Sequence, residues 1–496
     1  MTYYFYDLET SGINPRAQRI MQFAGQRTDE NFQPIGEPQN WLVRLTDEVL
    51  PDPEAVLVTG ITPQQTLSDG YSEAEFLELF MNEVSQPDTV VTGFNSIRFD
   101  DEFMRSTLWR NFYDPYEWQW QDGCSRWDLL DVVRMIRALR PEGIEWPFDD
   151  RPVGASEHGR IVNGSTKQQT EIVPSNRLEL LTKINNLDHA NAHDALSDVR
   201  ATIAVARMLK EKQPQIFNYL FEMRSKKKVK ELVSLDESRP FVYTSGRYEA
   251  QHHKTTVAYP LATGRNENVV VYDLRYDPSE FINLSEQELG NRIFARYEER
   301  QKSDFVRIPV KELQYNRVPA VAPLGVLTQN DGWARLDLKE DAIEKYLTIL
   351  RANPEFAKRL EQIYQKARDF KPVDDPDYQL YDGFLSESDK QLVRVVRSAD
   401  MKELKDFTPE FKDARLKELL VRYKARNYSS TLSAEERGSW ETYRSSRIFD
   451  GVDGQLSLSQ YSAKLAALAA TKKDENDQFL LQELQLYAES IVPFAD

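Results

Sequence analysis

A single cysteine, Cys124, among 496 residues excludes an intramolecular disulfide and leaves no thiolate cluster to hold zinc. No apolar run approaches the roughly 20 residues that a membrane helix needs, and no basic-then-apolar leader precedes the first strand. A soluble protein of the reducing cytoplasm, without membrane association, is therefore expected. Positive charge is also scarce: 63 Lys and Arg face 80 Asp and Glu, a net charge of -17. A long-range field of that sign opposes polyanions. Screening at physiological salt acts over only ~8 Å, however, so one local basic face suffices to bind nucleic acid and the deficit does not exclude it. The length suits roughly three domains at ~150 residues each.

What is present is carboxylate in a telling place. The run Tyr3-Tyr-Phe-Tyr-Asp7-Leu-Glu9-Thr-Ser11 reads as a strand, and alternate residues of a strand share a face, so Asp7 and Glu9 project to the same side. Two adjacent like charges repel unless a cation neutralises them, which makes the pair a candidate metal site. The alternative is a surface pair flanking a turn at Ser11-Gly12.

Arg19 to Thr28 and Trp41 to Leu45 read as further strands after an antiparallel start. Ser72-Glu-Ala-Glu75 is a capping box, followed by Phe76, Leu79, Phe80 and Val84 at helical spacing. Thr89 to Asn95 is a short buried strand, and Phe99-Asp-Asp-Glu102 opens a helix running to Phe112. Asp100 and Asp101 therefore fall at a strand-to-helix crossing, where open α/β sheets build sites. They suit equally well as N-terminal helix acids favoured by the macrodipole, or one residue serves each purpose. Further on, Asn191-Ala-His193-Asp-Ala-Leu-Ser-Asp198 leads into a helix with Leu196, Val199, Ile203 and Ala206 as its apolar stripe. A carboxylate beside a buried face is costly unless paired or metal-bound, which adds Asp198 to the set.

Four acids and a histidine, Asp7, Glu9, Asp100, His193 and Asp198, form the donor set of two-metal phosphodiester hydrolysis. Carboxylate oxygens suit Mg²⁺, with Mn²⁺ as a substitute, and histidine can take a proton from water near neutral pH.

The segments Asp7-Leu-Glu9-Thr-Ser-Gly12, Asn95-x-x-x-Phe99-Asp100 and His193-x-x-x-x-Asp198 resemble the DEDDh exonucleases. Arg98-Phe-Asp-Asp-Glu102, Arg110-Asn-Phe-Tyr-Asp-Pro-Tyr116, Ser125-Arg-Trp-Asp-Leu-Leu-Asp131, Ala138-Leu-Arg-Pro-Glu-Gly143 and Asn191-Ala-His-Asp194 narrow the resemblance to the bacterial exonuclease I family. Gln379 to Phe384 and Tyr423 to Tyr428 extend it over nearly the whole chain. The resemblance implies an α/β, ribonuclease-H-like nuclease domain with a mixed sheet over 1–212, an SH3-like β-barrel-containing domain over 213–369 and an all-α domain over 370–496. In agreement, Pro240 to Gly246, Thr255 to Ala262 and Asn268 to Leu274 read as short strands, and the chain after Asp382 is mostly helical in pattern.

The activity so implied is 3′→5′ degradation of single-stranded DNA to 5′-mononucleotides, in DNA repair and recombination, by a monomer that uses two Mg²⁺ ions. Asp7, Glu9 and Asp198 would ligate the ions, Asp100 would support them directly or through water, and His193 would be the general base. A 3′-trimming RNase or proofreading exonuclease shares this catalytic fold. Its standard form is one nuclease domain, whereas over half of this chain follows Leu209. A single-strand-binding scaffold with a dead site is the non-enzyme alternative, and the complete carboxylate set stands against it. Two departures from the family are visible: the stretch from Phe148 to Asn176 is longer and has an Asn163-Gly164 turn signal that suggests an added hairpin, and Tyr6 precedes the first Asp.

For holding a strand, Tyr113-Asp-Pro-Tyr116-Glu-Trp118-Gln-Trp120 offers rings that either stack on unpaired bases or belong to the core. Arg105 and Arg134 are phosphate contacts or helix-face charges, Arg177 matches a family position that contacts substrate near the scissile phosphate, and Glu9 belongs to both the metal and the substrate set. The basic run Arg224 to Lys230 is either a phosphate track or a solvated helix face. His252 and His253, in a turn between strands, have nothing beside them to complete a metal set. The resemblance also implies docking of the acidic tail of single-stranded DNA-binding protein, with Arg140 and Arg351 as candidates. Lys311 and Arg317 are possible phosphate contacts of a second wall, joined to a third by the Pro/Asp-rich stretch Phe370 to Asp377.

Overall fold

The computed structural model describes residues 1–152, 170–188, 194–300, 302, 304–366 and 373–493. The chain divides into two compact units: Met1–Arg126 with His189–Arg200 and Lys371–Asp496, and Trp127–Asp188 with Ala201–Phe370.

Five strands form the first sheet: β1 (Thr2–Thr10), β2 (Ile20–Thr28), β3 (Gln39–Leu42), β4 (Thr89–Gly93) and β5 (Ser125–Asp128), in the order β3-β2-β1-β4-β5. β1 and β2 are antiparallel, as are β2 and β3, but β4 runs parallel to β1, so the sheet is mixed. β3 lies earlier than the expected Trp41–Leu45: past Leu42, Val43 still donates to Met21 O at 2.9 Å, but it forms a parallel bridge with Tyr71.

The even residues of β1, Tyr4, Tyr6 and Leu8, enter a core with Phe23, with Phe76, Leu77, Phe80 and Val84 of the helix Glu73–Val84, and with Phe103, Met104 and Leu108 of the helix Asp100–Arg110. The two-residue period of the strand then sends Asp7 and Glu9 to the opposite face. The helix Glu73–Val84 starts where its capping box predicts: Ser72 Oγ accepts from Glu75 N at 3.3 Å and Ser72 N donates to Glu75 Oε2 at 2.8 Å, a stabilisation of about 1 kcal/mol.

The C-terminal helices complete two apolar clusters begun by N-terminal segments. Leu45, Val49, Leu50 and Val56 pack with Ile448, Tyr461, Leu480, Leu484 and Tyr487, while Ala74, Trp109 and Phe112 pack with Val396, Leu416, Leu419 and Tyr423.

In the second unit, β6 (Phe148–Pro152) and β7 (Thr170–Pro174) pair antiparallel, in register from Phe148 with Pro174 to Pro152 with Thr170. The Asn163-Gly164 turn signal lies outside the described residues. A second, all-antiparallel sheet follows: β8 (Phe241–Thr244), β9 (Thr255–Thr263), β10 (Val269–Asp273), β11 (Val310–Leu313) and β12 (Ala320–Pro323), ordered β11-β10-β9-β8-β12. Its inward residues Phe241, Tyr243, Ala258, Val269, Val271, Leu313 and Val321 close one core with Met223, Val229 and Val233.

Candidate active site

β4 accompanies β1 only as far as Phe5, which pairs with Thr92. It then turns away at Gly93, where a Cβ would come within 2.7 Å of Tyr6 O, so that close crossing needs glycine. The remainder of β1 lacks β4 as a partner. Its Leu8 N–H is taken up by Asp100 Oδ1 at 3.2 Å, which brings the buried Asp100 from its helix start to the strand that carries Asp7 and Glu9.

The other wall is the helix Ala195–Lys212, with Asp198 in its first turn. Asp194 caps that turn, accepting from Ser197 N at 3.1 Å, and receives Gln22 Nε2 at 3.3 Å. Gln22 is the β2 residue paired with Glu9, so one buried amide fixes the helix mouth against the sheet. Gln22 carries no sequence signal beyond being an amide inside an apolar strand.

Asp7, Glu9 and Asp198 each offer a carboxylate oxygen, and these lie within 4.8 Å of one another. Glu9 is only 9% exposed. Burial first, then Asp198, Asp100 and Asp194, push Glu9 up to about 9. Burial, Asp100, Glu9, Asp198 and Asp194 drive Asp7 well above the carboxylate range. Such crowding suits a hard divalent cation, whose charge would offset the repulsion that raises both groups.

Asp100 and Asp101 part company. Asp101 accepts from Tyr6 Oη at 2.6 Å and pairs with Arg126 Nη1 at 2.5 Å, a structural role that also accounts for the tyrosine before the first Asp. His193 lies outside the described residues.

The expected strand-holding residues separate by burial. Trp118 is fully buried, edge-on to Phe80 at 5.3 Å and to Tyr6 at 6.2 Å, whereas Trp120 is 63% exposed. Tyr116 is half-buried, with the Arg105 guanidinium 5.3 Å from its ring centre. Arg105 itself is buried and held by Glu102 at 2.9 Å and Gln119 at 2.7 Å. In the second unit, Arg134 is buried and pairs with Asp131 at 2.6 Å, and Arg177, one-third exposed, faces Asp149 at 3.4 Å and Glu179 at 3.6 Å. In the basic helix Lys226–Leu232, Lys228 pairs with Glu222 and Lys230 with Glu267, as expected of a solvated face. Lys311 Nζ lies 4.4 Å from the Tyr243 ring centre, and burial lowers His253 to about 4.

The contrast between the two tryptophans is testable. Trp120→Ala weakens binding of a single strand by about 1–3 kcal/mol and leaves the unfolding midpoint in place. Trp118→Ala costs about 3–5 kcal/mol of stability instead. Fluorescence titration and thermal melts on both variants separate the two effects, and a melt shift from Trp120→Ala would place that ring in the core.

Family models match along the chain: Exonuclease over residues 4–206, Exonuclease I SH3-like domain over 224–366 and Exonuclease I C-terminal domain over 374–491. Exodeoxyribonuclease I of Haemophilus influenzae is 38% identical over 490 residues, covering 98% of this chain and 98% of its own. A crystal structure of E. coli exonuclease I in complex with a dA16 oligonucleotide superposes with a TM-score of 0.90 at 38% identity, over 99% of this chain and 100% of that one. The zinc-bound form of the E. coli exonuclease I complex with single-stranded DNA gives a TM-score of 0.90 at 37% identity, over 99% of both chains.

Proposed function

The chain belongs to the exonuclease I family, and on that premise we propose that it hydrolyses single-stranded DNA from the 3′ end, releasing 5′-mononucleotides. The observation that carries this reading is the convergence of Asp7, Glu9 and Asp198 oxygens within 4.8 Å, on a strand end and a helix start. These three would hold two Mg²⁺ ions, Mn²⁺ being a substitute, and Asp100 would support them directly or through water. Bound there, the ions would stabilise the attacking and leaving oxygens of the displacement.

His193, just before the helix mouth, takes the proton from the attacking water. Tyr116 and Trp120 offer ring faces to unpaired bases, Arg105 steadies Tyr116 from below, and Arg177 meets phosphate. Arg134, buried and paired with Asp131, is a further candidate phosphate contact. The protein acts as a cytoplasmic monomer in DNA repair and recombination. Its partner is the acidic, apolar-ended tail of single-stranded DNA-binding protein, met by Arg140 and Arg351.

Mononucleotide release from 3′- and 5′-labelled DNA and RNA oligomers, single-stranded and blunt duplex, tests the reading. Release from the 3′ end of single-stranded DNA, lost in chelator, is expected. Preference for RNA would favour the trimming enzyme, and binding without release would favour the scaffold. His193→Ala should slow turnover about 10²-fold or more while strand and metal affinities hold. A change confined to affinity would make the residue a substrate contact.

A further inference from the structure

Immediately after Glu9 the β1–β2 ladder slips: Glu9 pairs with Gln22, but Thr10 pairs with Ile20. The end of the catalytic strand therefore depends on whatever holds the loop 11–19. Ser11 N donates to Arg19 O at 2.9 Å and Asp52 N to Ser11 O at 2.6 Å. Three further contacts come from the C-terminal helical region. Asn14 Nδ2 donates to Asp453 O at 3.2 Å, Gln18 Nε2 to Gly454 O at 3.1 Å, and the buried Arg447 Nη2 to Ala17 O at 3.0 Å.

The gripping turn is itself rigid. Val452 and Gln455 form a bridge, Tyr378 Oη donates to Asp453 O at 3.0 Å, and Gln455 Nε2 donates to Glu48 O at 3.2 Å. Gly454 has φ +94, open to glycine and strained for other residues, and a Cβ there would lie 2.6 Å from Asn14 Cβ. Gln18 Oε1 meanwhile accepts from Ser11 Oγ at 2.6 Å, and Ser11 Oγ accepts from Arg19 N at 2.9 Å, so displacement of the turn passes to the residue two places beyond Glu9.

We infer that the C-terminal helical region sets the geometry of the catalytic strand, with Asn14, Gln18, Arg447 and the 452–455 turn acting as positioning residues for the Glu9 carboxylate. The inference rests on the proposed role of Glu9 as a metal ligand. It gives the C-terminal region a part in chemistry that is separate from any contact it makes with a strand. A small misplacement matters because reacting groups lose rate steeply with distance.

Gly454→Ala drives a methyl group into Asn14, and Asn14→Ala removes one hydrogen bond and the Nδ2 and Cγ atoms that the methyl would meet, leaving only the contact with Cβ. Turnover on oligothymidylate at saturating strand, Mn²⁺ affinity by calorimetry and strand affinity in chelator are measured on wild type, both single variants and the double variant. Gly454→Ala should lose about tenfold in kcat and bind Mn²⁺ more weakly, with strand affinity unchanged, and Asn14→Ala added to it should restore part of both. A purely structural role lowers the melting point but leaves kcat and Mn²⁺ affinity at wild-type values in the folded protein, and that result overturns the inference. Should Gly454→Ala fail to fold, Asn14→Ala alone decides by the same two readouts. Wild type that neither binds Mn²⁺ nor cleaves would remove the proposed function; active wild type matched by its variants would remove only this inference.

Discussion

Asp7→Asn lowers turnover on the order of 10⁴-fold, because several kcal/mol of transition-state stabilisation leave with the metal and each 1.36 kcal/mol is a factor of ten. The fold survives, since asparagine is nearly isosteric and Asp7 sits on the face of β1 opposite the Tyr4–Tyr6–Leu8 core. In chelator the variant should melt higher than wild type. Asp7 and Glu9 are both raised by burial and neighbouring acids, Glu9 to about 9. A carboxyl group whose folded value is raised binds its proton more tightly in the folded state, so chelated wild type loses stability as pH climbs from the unfolded carboxylate value of ~4.3 towards about 9. Removing one charge relieves part of that loss, and Mg²⁺ should flatten the wild-type profile. Turnover by Asp7→Asn within tenfold of wild type would end the carboxylate-metal reading. A chelated wild-type melt that is flat between pH 5 and 9 would contradict the crowding argument while leaving the catalytic one standing.

The chemistry was more legible in the sequence than its surroundings, for local reasons. Asp7 and Glu9 declare a shared face through strand alternation, and the Ser72 capping box and the short strand runs of β8, β9 and β10 between turns are likewise patterns a few residues long. Asp100 and Asp101 could not be told apart because adjacent helical residues point about 100° away from each other, and only the place where β4 leaves β1 decides which one faces the site. Trp118 and Trp120 are parted by the short helical turn Glu117–Gln119. β11 and β12 escape notice because each is four residues long; one contains Lys311 and Glu312, and the other ends on Pro323. Least visible were pairings between distant segments. The Pro/Asp-rich stretch up to Asp377 has the composition of a spacer, yet its end is a plug: Asp377 is fully buried, bonded to Arg426 and Tyr443.

That plug belongs to a buried array in which three arginines and three acids alternate. Arg19 Nη2 meets Glu48 at 2.7 Å, Arg426 Nε meets the same carboxylate at 2.9 Å, and Arg426 Nη2 meets Asp377 at 2.5 Å. Arg110 meets Glu73 at 2.9 Å, with Arg19 3.7 Å from both Glu73 and Asp377. Burial alone would raise Glu48 and Asp377. Arg426 with Arg19 and Arg447 outweighs it for Glu48, and Arg426 with Arg422 and Arg19 for Asp377, so both are held well below the carboxylate range. A depressed folded value means that this stability is present above the unfolded values of ~4.3 and ~3.9 and is lost as pH falls below them towards the folded values. Asp377→Ala should therefore cost about 3–5 kcal/mol, chiefly because Arg426 is left buried with one partner fewer, and urea midpoints at pH 7 will read the loss. Asp377→Leu combined with Arg426→Met should recover only part of it, since removing both charges removes their desolvation cost but takes one arginine from the buried Glu48. The double variant should also lose less stability than wild type between pH 5 and pH 3. The same array joins Arg19, Glu48, Glu73 and Arg110 of the N-terminal part to Asp377 and Arg426 of the C-terminal region, so a chain truncated near Lys210 would strip two arginine–acid contacts from the buried Arg19 and Glu48 and leave two apolar clusters incomplete. It should not fold, and whether the C-terminal helices retain a strand has to be tested with point variants in the full chain. A loss below about 1 kcal/mol for Asp377→Ala, the value of an exposed pair, would show that water reaches the array and that the two halves of this unit are held by their apolar clusters alone.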